Sequence, residues 1–223
     1  MGKRGPKPGF NVKRRISEKW SANLAYAIGL LATDGCMASK STLIDLTSKD
    51  REQLKNFCKC VGVDYRITKK IGSNSKTYLR IQFKNVLFYD FLLSIGMTPA
   101  KSKTIGELKI PDKYFFDFLR GVFDGDGSFY SYWDSRWRSS FMYYTCFVSA
   151  SPAFVAWLRN KLGALLGIRG HVSADGRGRT AQLKYAKSES LKLLRAIYLP
   201  GCISLSRKRL KITRALRIIG EQL

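Results

Sequence analysis

Two aspartates in this chain sit where a helix least favours them. Asp34 closes the apolar run LAYAIGLLATDGC (Leu24 to Cys36), and Asp126 closes FFDFLRGVFDGDGSF (Phe115 to Phe129). Each is followed by a glycine, Gly35 or Gly127. The C-terminal end of a helix carries partial negative charge, which disfavours a carboxylate there. A divalent cation resolves the conflict. Two neighbouring carboxylates raise one another's pKa, whereas a cation between them favours both charged forms and can activate water for an in-line displacement. A structural reading, helix ends followed by tight turns, explains either Asp-Gly pair taken singly. Two copies in register with a repeat favour a paired site. An EF-hand does not fit: counted from Asp124, the sixth and twelfth positions are Phe129 and Ser135, where that loop needs Gly and Glu.

The elements around the two runs repeat. After the first come strand-like stretches near 36–39 and 42–48 and a helix-like DREQLKNFCKCVG; after the second come a longer hairpin (128–134 and 138–149) and SPAFVAWLRNKLGALLG. Each copy continues with two strand-like runs about a Gly-containing turn, YRITKKIGSNSKTYLRIQF and HVSADGRGRTAQLKYA. Each closes with a helix, NVLFYDFLLSIG or SESLKLLRAIYL, and a basic segment, PAKSKTI or SLSRKRLKI. The order αββαββα therefore occurs twice, giving a basic arm over 1–20, a first half over 21–110 and a second over 111–223. Ser21 is the expected N-cap of the first helix. Gly29 and Thr33 in one run, and Gly121 and Gly125 in the other, are spaced by four, so small faces of the two helices can meet at backbone distance. That packing brings Asp34 and Asp126 together near a pseudo-twofold axis, with a four-stranded sheet on either side.

Composition narrows the partner. Forty Lys and Arg against sixteen Asp and Glu give a net charge of +24 over 223 residues, a self-repulsion that a polyanion, most often nucleic acid, relieves. The basic residues interleave with aromatics, as in YSYWDSRWRSSFMYY; a membrane-surface helix would carry them on one stripe. No apolar run reaches the roughly 20 residues that cross a bilayer, and the basic start has no apolar segment behind it. A soluble intracellular protein without a membrane partner is expected. Five cysteines without a CxxC pair, and one histidine, His171, exclude an ordinary structural zinc site and count against His-dependent nuclease chemistry.

The nonapeptides AIGLLATDG (Ala27 to Gly35) and LRGVFDGDG (Leu119 to Gly127) resemble the two motifs of single-chain LAGLIDADG homing endonucleases, and the repeat order extends the resemblance over essentially the whole chain. It implies an α+β fold, with two pseudo-symmetric αββαββα units forming a saddle of two antiparallel sheets and the motif helices packed at its centre. It implies cleavage of both strands of a long double-stranded DNA target by a monomer. Asp34 and Asp126 become the catalytic acids and, with Gly35 and Gly127, the metal-site residues. Mg²⁺ is the implied cofactor, Mn²⁺ a substitute, and Ca²⁺ an ion that supports binding without cleavage. Asp124 matches the motif's other acid and takes a structural role; the first copy has Ala32 there.

The same resemblance places basic residues near the metal. Candidates are Lys101 and Lys103, and Arg207 and Lys208, of which Lys103 and Lys208 are assigned catalytic roles. A further peripheral position falls near Ser48 and Lys49 in one half but near Ala150 and Ser151 in the other, so the halves are expected to differ. Strands lying in the major groove would read DNA through Lys49, Lys69, Lys76, Arg80 and Gln82, and through Tyr132, Arg136, Arg138, Arg177, Arg179, Gln182 and Lys184. A bacterial cytoplasm or nucleoid, or an organelle, is the expected setting. The same scaffold implies a rival, an intron RNA maturase or a non-cleaving DNA-binding regulator, with intron RNA as a further partner; retention of both acids favours the nuclease.

Overall fold

The Ser21 side chain accepts the backbone N–H of Leu24 at 3.1 Å, starting α1 (Ala22–Asp34) at the expected cap. The computed structural model describes residues 16–72, 75–174 and 178–223; positions 1–15 of the basic arm, and Arg177, lie outside them. After α1 come β1 (Gly35–Met37), β2 (Leu43–Ser48), α2 (Arg51–Val61), β3 (Thr68–Ile71), β4 (Thr77–Lys84) and α3 (Val86–Ser94). The second unit runs α4 (Phe115–Asp126), β5 (Ser128–Trp133), β6 (Phe141–Ser149), α5 (Pro152–Leu166), β7 (His171–Ala174), β8 (Ala181–Ala186) and α6 (Lys187–Ile197). One element was not foreseen. The basic run SLSRKRLKI belongs largely to a helix, α7 (Ser206–Ile218), which buries Ile212, Ala215 and Leu216 at i, i+3, i+4 spacing.

Every residue of α1 from Leu24 to Ala32 is buried, as expected of a helix at the centre of a fold. Its neighbour is α4, and this helix pair is the most extensive contact between elements. Glycine makes it possible. A Cβ placed on Gly29 would lie 2.8 Å from Gly121 Cα, and one on Gly121 would lie 2.9 Å from Gly29 Cα. Towards the C-terminal ends, a Cβ on Gly125 would fall 2.8 Å from Thr33 Cβ. Around this pair the buried side chains of both units form one continuous hydrophobic core.

The sheets order as β1-β2-β4-β3 and β5-β6-β8-β7, with antiparallel neighbours, in an α+β saddle. Register sorts the faces, because opposed residues share a side. In the first sheet Ile44 with Phe83 and Leu46 with Ile81 face the core, while Asp45 with Gln82 and Thr47 with Arg80 take the open face. In the second, Phe147 with Leu183 faces inward, and Cys146 with Lys184 and Val148 with Gln182 face outward. Ser48 and Ser149 end the second strand of each sheet, and α2 and α5 begin at Arg51 and Pro152. Asp45 therefore corresponds to Cys146, and Gln53 to Phe154.

The units are also tied by α7. Glu52 accepts the Ser206 backbone N–H at 3.1 Å and its hydroxyl, and Arg207 donates to Asp50 at 2.7 and 3.0 Å. Among the described residues no helix is long and apolar enough to cross a membrane.

Gly29→Ala or Gly121→Ala is expected to lower unfolding free energy by about 1–3 kcal/mol or more, read as the midpoint of urea denaturation. Gly106→Ala is the control, since its methyl meets nothing nearer than Ala153 Cβ at 4.0 Å. Equal midpoints for all three would contradict the backbone contact.

Candidate functional site

The close helix pair delivers two carboxylates to one place. Asp34 Oδ2 lies 3.0 Å from where a Cβ on Gly125 would stand, so it abuts the backbone next to Asp126. Burial, then the charge of Asp126, push the Asp34 carboxyl up to about 6. Burial likewise raises Asp126, against the lowering effect of Lys208 and Lys101. These acids carry negative charge that the surrounding protein only partly compensates.

Asp34 has a partner that Asp126 lacks. Gln53 Nε2 donates to Asp34 Oδ2 at 2.5 Å, while the Ser48 hydroxyl donates to Gln53 Oε1 at 2.7 Å. Ser48 in turn accepts the Asp50 N–H at 3.0 Å. The corresponding position in the second unit is Phe154, which is buried. Sequence reasoning missed Gln53 because Asp50 and Gln53 fit the spacing of a capping box; the Asp50 side chain makes no cap, and Gln53 turns to the acid instead.

Lysines sit on the carbonyl ends of both motif helices, where cations are favoured. Lys208 Nζ donates to Phe123 O at 2.5 Å, Gly127 O at 2.6 Å and Gly125 O at 3.2 Å. Lys101 Nζ donates to Gly35 O. Burial lowers both ammonium groups, Lys208 to about 8, with the nearby carboxylates opposing the shift. Two expected placements change as a result. Lys103 is exposed, and Lys101 is the lysine brought to the site, because the turn over Lys101–Lys103 directs the first lysine inward. The carbonyls of Gly35 and Gly127, expected beside the metal, are engaged by ammonium groups that would repel a cation.

Asp124 is fully buried and accepts from Tyr26 Oη at 2.8 Å, Tyr198 Oη at 3.2 Å and the Leu205 N–H at 2.7 Å. Burial raises its pKa. It joins α1, the end of α6 and the start of α7. Next to it, buried Arg120 donates to Ile197 O (3.0 Å), Ile203 O (2.9 Å) and Asp117 (2.8 Å), with its guanidinium 5.3 Å from the Tyr26 ring centroid.

The expected DNA-contact residues divide by register. Arg80 and Gln82 lie on the open face of the first sheet, and Gln182 and Lys184 on that of the second. Lys69 pairs with Leu79 on the other face, and Lys70 occupies the open side; alternation was legible but its phase was not. Tyr132 is exposed on β5. Lys49, Lys76 and Arg179 are exposed, with Lys49 Nζ 5.8 Å from the Tyr78 ring centroid. Arg136 and Arg138 are exposed in the β5–β6 turn, Arg136 where the hairpin reading left it and Arg138 short of β6, which begins at Phe141.

No family model matches the chain, and no curated protein does. Solved structures do. The homing endonuclease I-WcaI bound to its DNA recognition sequence aligns with TM-score 0.63 at 12% identity, covering 94% of this chain and 95% of that one. The N-terminal LAGLIDADG domain of DUF199/WhiA aligns with TM-score 0.54 at 17% identity over 92% and 98%. The chain has the LAGLIDADG fold. I-SmaMI bound to uncleaved DNA target in the presence of calcium ions aligns with TM-score 0.57 at 14% identity over 90% and 92%. Of full-length DUF199/WhiA from Thermatoga maritima the chain spans 63%, with TM-score 0.57 at 16% identity. Within the LAGLIDADG fold of this chain, Asp34 and Asp126 offer hard oxygen donors, the set that Mg²⁺, Mn²⁺ and Ca²⁺ prefer. Their raised pKa values mark the charge that a cation would compensate, so the residues fit a divalent ion.

This strain has a measurable sign in metal-free protein. The folded chain holds the Asp34 proton to about pH 6, whereas the unfolded chain releases it near pH ~4. The group's contribution to stability is therefore greatest below pH ~4 and is lost as pH rises through about 6. In EDTA at pH ~7.5, Asp34→Asn is expected to stabilise the protein by up to about 3 kcal/mol in thermal melts, and to give no advantage at pH ~4. A variant no more stable than the parent at the higher pH would show that the carboxylate is not strained.

Proposed function

We propose that the protein is a site-specific endonuclease that hydrolyses both strands of a long double-stranded DNA target, with a divalent cation held by Asp34 and Asp126. The observation that carries this reading is the pair of carboxylates, Asp34 half-buried and Asp126 at the surface, both with raised pKa, at the adjoining ends of α1 and α4. The net charge of +24 and two DNA-bound structural neighbours, one with calcium, support it. Halves 21–110 and 111–223 each contribute one acid, so a single chain acts as a monomer. Mg²⁺ is the assigned cofactor and Mn²⁺ a substitute, with Ca²⁺ sustaining binding alone.

When bound, the cation would supply an activated water and stabilise charge on the leaving oxygen. The chain's own residues set the rest. Gln53 holds one oxygen of Asp34 and so fixes the direction in which the carboxylate faces Asp126, with which it would hold the cation. Lys208, with its pKa lowered to about 8, stays mostly protonated at neutral pH and places positive charge by both acids to stabilise a crowded phosphate. Lys101 does the same from the first unit, while exposed Lys103 is free to meet DNA phosphates at the rim and Arg207 is held by Asp50. The surroundings of the two acids differ: Gln53, Lys49 and Arg207 share a pocket with Asp34, whereas Val148, Ala150 and Phe154 share one with Asp126. The two strands are therefore cut at different rates.

The deciding experiment incubates purified protein with a randomised or genomic DNA library and Mg²⁺. One long site cut on both strands is expected, with Ca²⁺ giving binding only. Asp34→Asn or Asp126→Asn should reduce cleavage by at least about 10²–10³-fold while leaving DNA binding largely intact. Binding without cutting by the unaltered protein would move the reading to a regulator or an intron RNA maturase. On a supercoiled plasmid carrying the site, Gln53→Ala should slow one strand selectively and accumulate nicked circles; equal slowing of both strands would assign Gln53 a general structural role.

A further inference from the structure

An acid occupies the middle of the first sheet's open face. Asp45 is only 8% exposed, although its register position points it away from the core. Gln82 Nε2 donates to its Oδ2 at 2.9 Å and Thr47 to its Oδ1 at 2.7 Å. Arg80 and Lys70 approach Oδ2 at 3.6 and 3.9 Å. A carboxylate in a face meant for phosphate and bases lowers non-specific attraction, so neutralising the sheet cannot be its use in binding DNA.

Its geometric effect is on Gln82. An ionised carboxylate only accepts, so the amide nitrogen must face Asp45. The amide oxygen and the second N–H of this exposed side chain are then left for a ligand. That donor–acceptor pair matches adenine N7 and N6 in the major groove. Arg80 lies two residues along the same strand and on the same face, about 7 Å away, or roughly two base-pair steps of 3.4 Å. A guanidinium there matches guanine O6 and N7.

The second unit lacks this device. Cys146 stands at the position of Asp45, facing Lys184 where Asp45 faces Gln82. Lys184 Nζ lies 5.1 Å from the Tyr144 ring centroid, and Tyr144 stacks with Tyr130 at 5.0 Å. That face holds its cation on an aromatic surface without fixing a hydrogen-bonding direction.

We propose that Asp45, without touching DNA, is the positioning residue that sets base specificity in the first half-site, orienting Gln82 to read an adenine and Arg80 a guanine about two base pairs away. This rests on the reading of the protein as a binder of double-stranded DNA. The test selects bound sequences from randomised duplex DNA in Ca²⁺ for the unaltered protein, Asp45→Ala and Gln82→Ala, with each variant's melt recorded. The unaltered protein should prefer one adenine and one guanine by about ten-fold or more. Gln82→Ala should lose the adenine preference, and Asp45→Ala should flatten both positions while leaving the rest of the profile in place. An Asp45→Ala profile that is unchanged, or weakened equally at every position, overturns the proposal. So does a Gln82→Ala profile that keeps its adenine, an arm that stands even if Asp45→Ala fails to fold because Gln82 is exposed. Failure of the unaltered protein to enrich any sequence would sink the DNA-binding reading itself.

Discussion

The contact between Gly29 and Gly121 sets the scale of this molecule. With no side chain between them, α1 and α4 approach at backbone distance, and everything at their C-terminal ends inherits that spacing. Thr33 packs on Gly125, and Asp34 comes to rest against the backbone that carries Asp126. The same closeness shields Asp34 in part and sets it beside the charge of Asp126, and both carboxyl groups bind protons more tightly than usual. Hydrophobic burial along α1 and α4 holds this unfavourable arrangement in place, a division between a stable centre and a strained end that is common where charge must be poised for a ligand.

A second constraint breaks the pseudo-symmetry. Asp124, whose counterpart is Ala32, gathers donors from α1, the end of α6 and the start of α7. Removing a hydrogen-bonding partner from a buried group leaves that group unsatisfied at a cost of about 1–3 kcal/mol, more for a charged one, so these segments must keep their places together. Arg120 adds carbonyls from the same connecting segment. Among the described residues the polar knot belongs to the second unit alone, and from it Lys208 reaches the end of α4. The two acids thus share a spacing but have different surroundings.

Much of this was legible in the sequence, for physical reasons that differ by element. The helix pair was readable because glycine at four-residue spacing has few other uses in an apolar helix, and the strands because their alternation is bounded by turn residues. Proton and cation partners were harder. Lys101 and Lys103 are two residues apart in KSK, and only a turn entered through Ala100, with φ +55°, decides which points inward. Lys69 and Lys70 differ by one step of a period-two pattern whose phase comes from the partner strand. The α7 helix hid behind its own charge, and Gln53 behind a capping pattern that the chain does not use. Asp45 carried no local signal at all; the groups around it, Lys70, Arg80 and Gln82, lie far along the chain and are brought beside it by the sheet.

The clasp formed by Asp50 and Glu52 with Ser206 and Arg207 bears on how such a doubled chain evolves. Its donors come from one copy and its acceptors from the other, at positions that need not have matched when the copies were identical. A copy exchanged for one without the complementary half of the clasp loses these contacts, of which the exposed Arg207–Asp50 pair is worth about 1 kcal/mol or less. Exchange of halves between related chains is therefore expected to cost least where 50–52 and 206–207 match, which makes the C-terminal helix a modest discriminator between possible first halves.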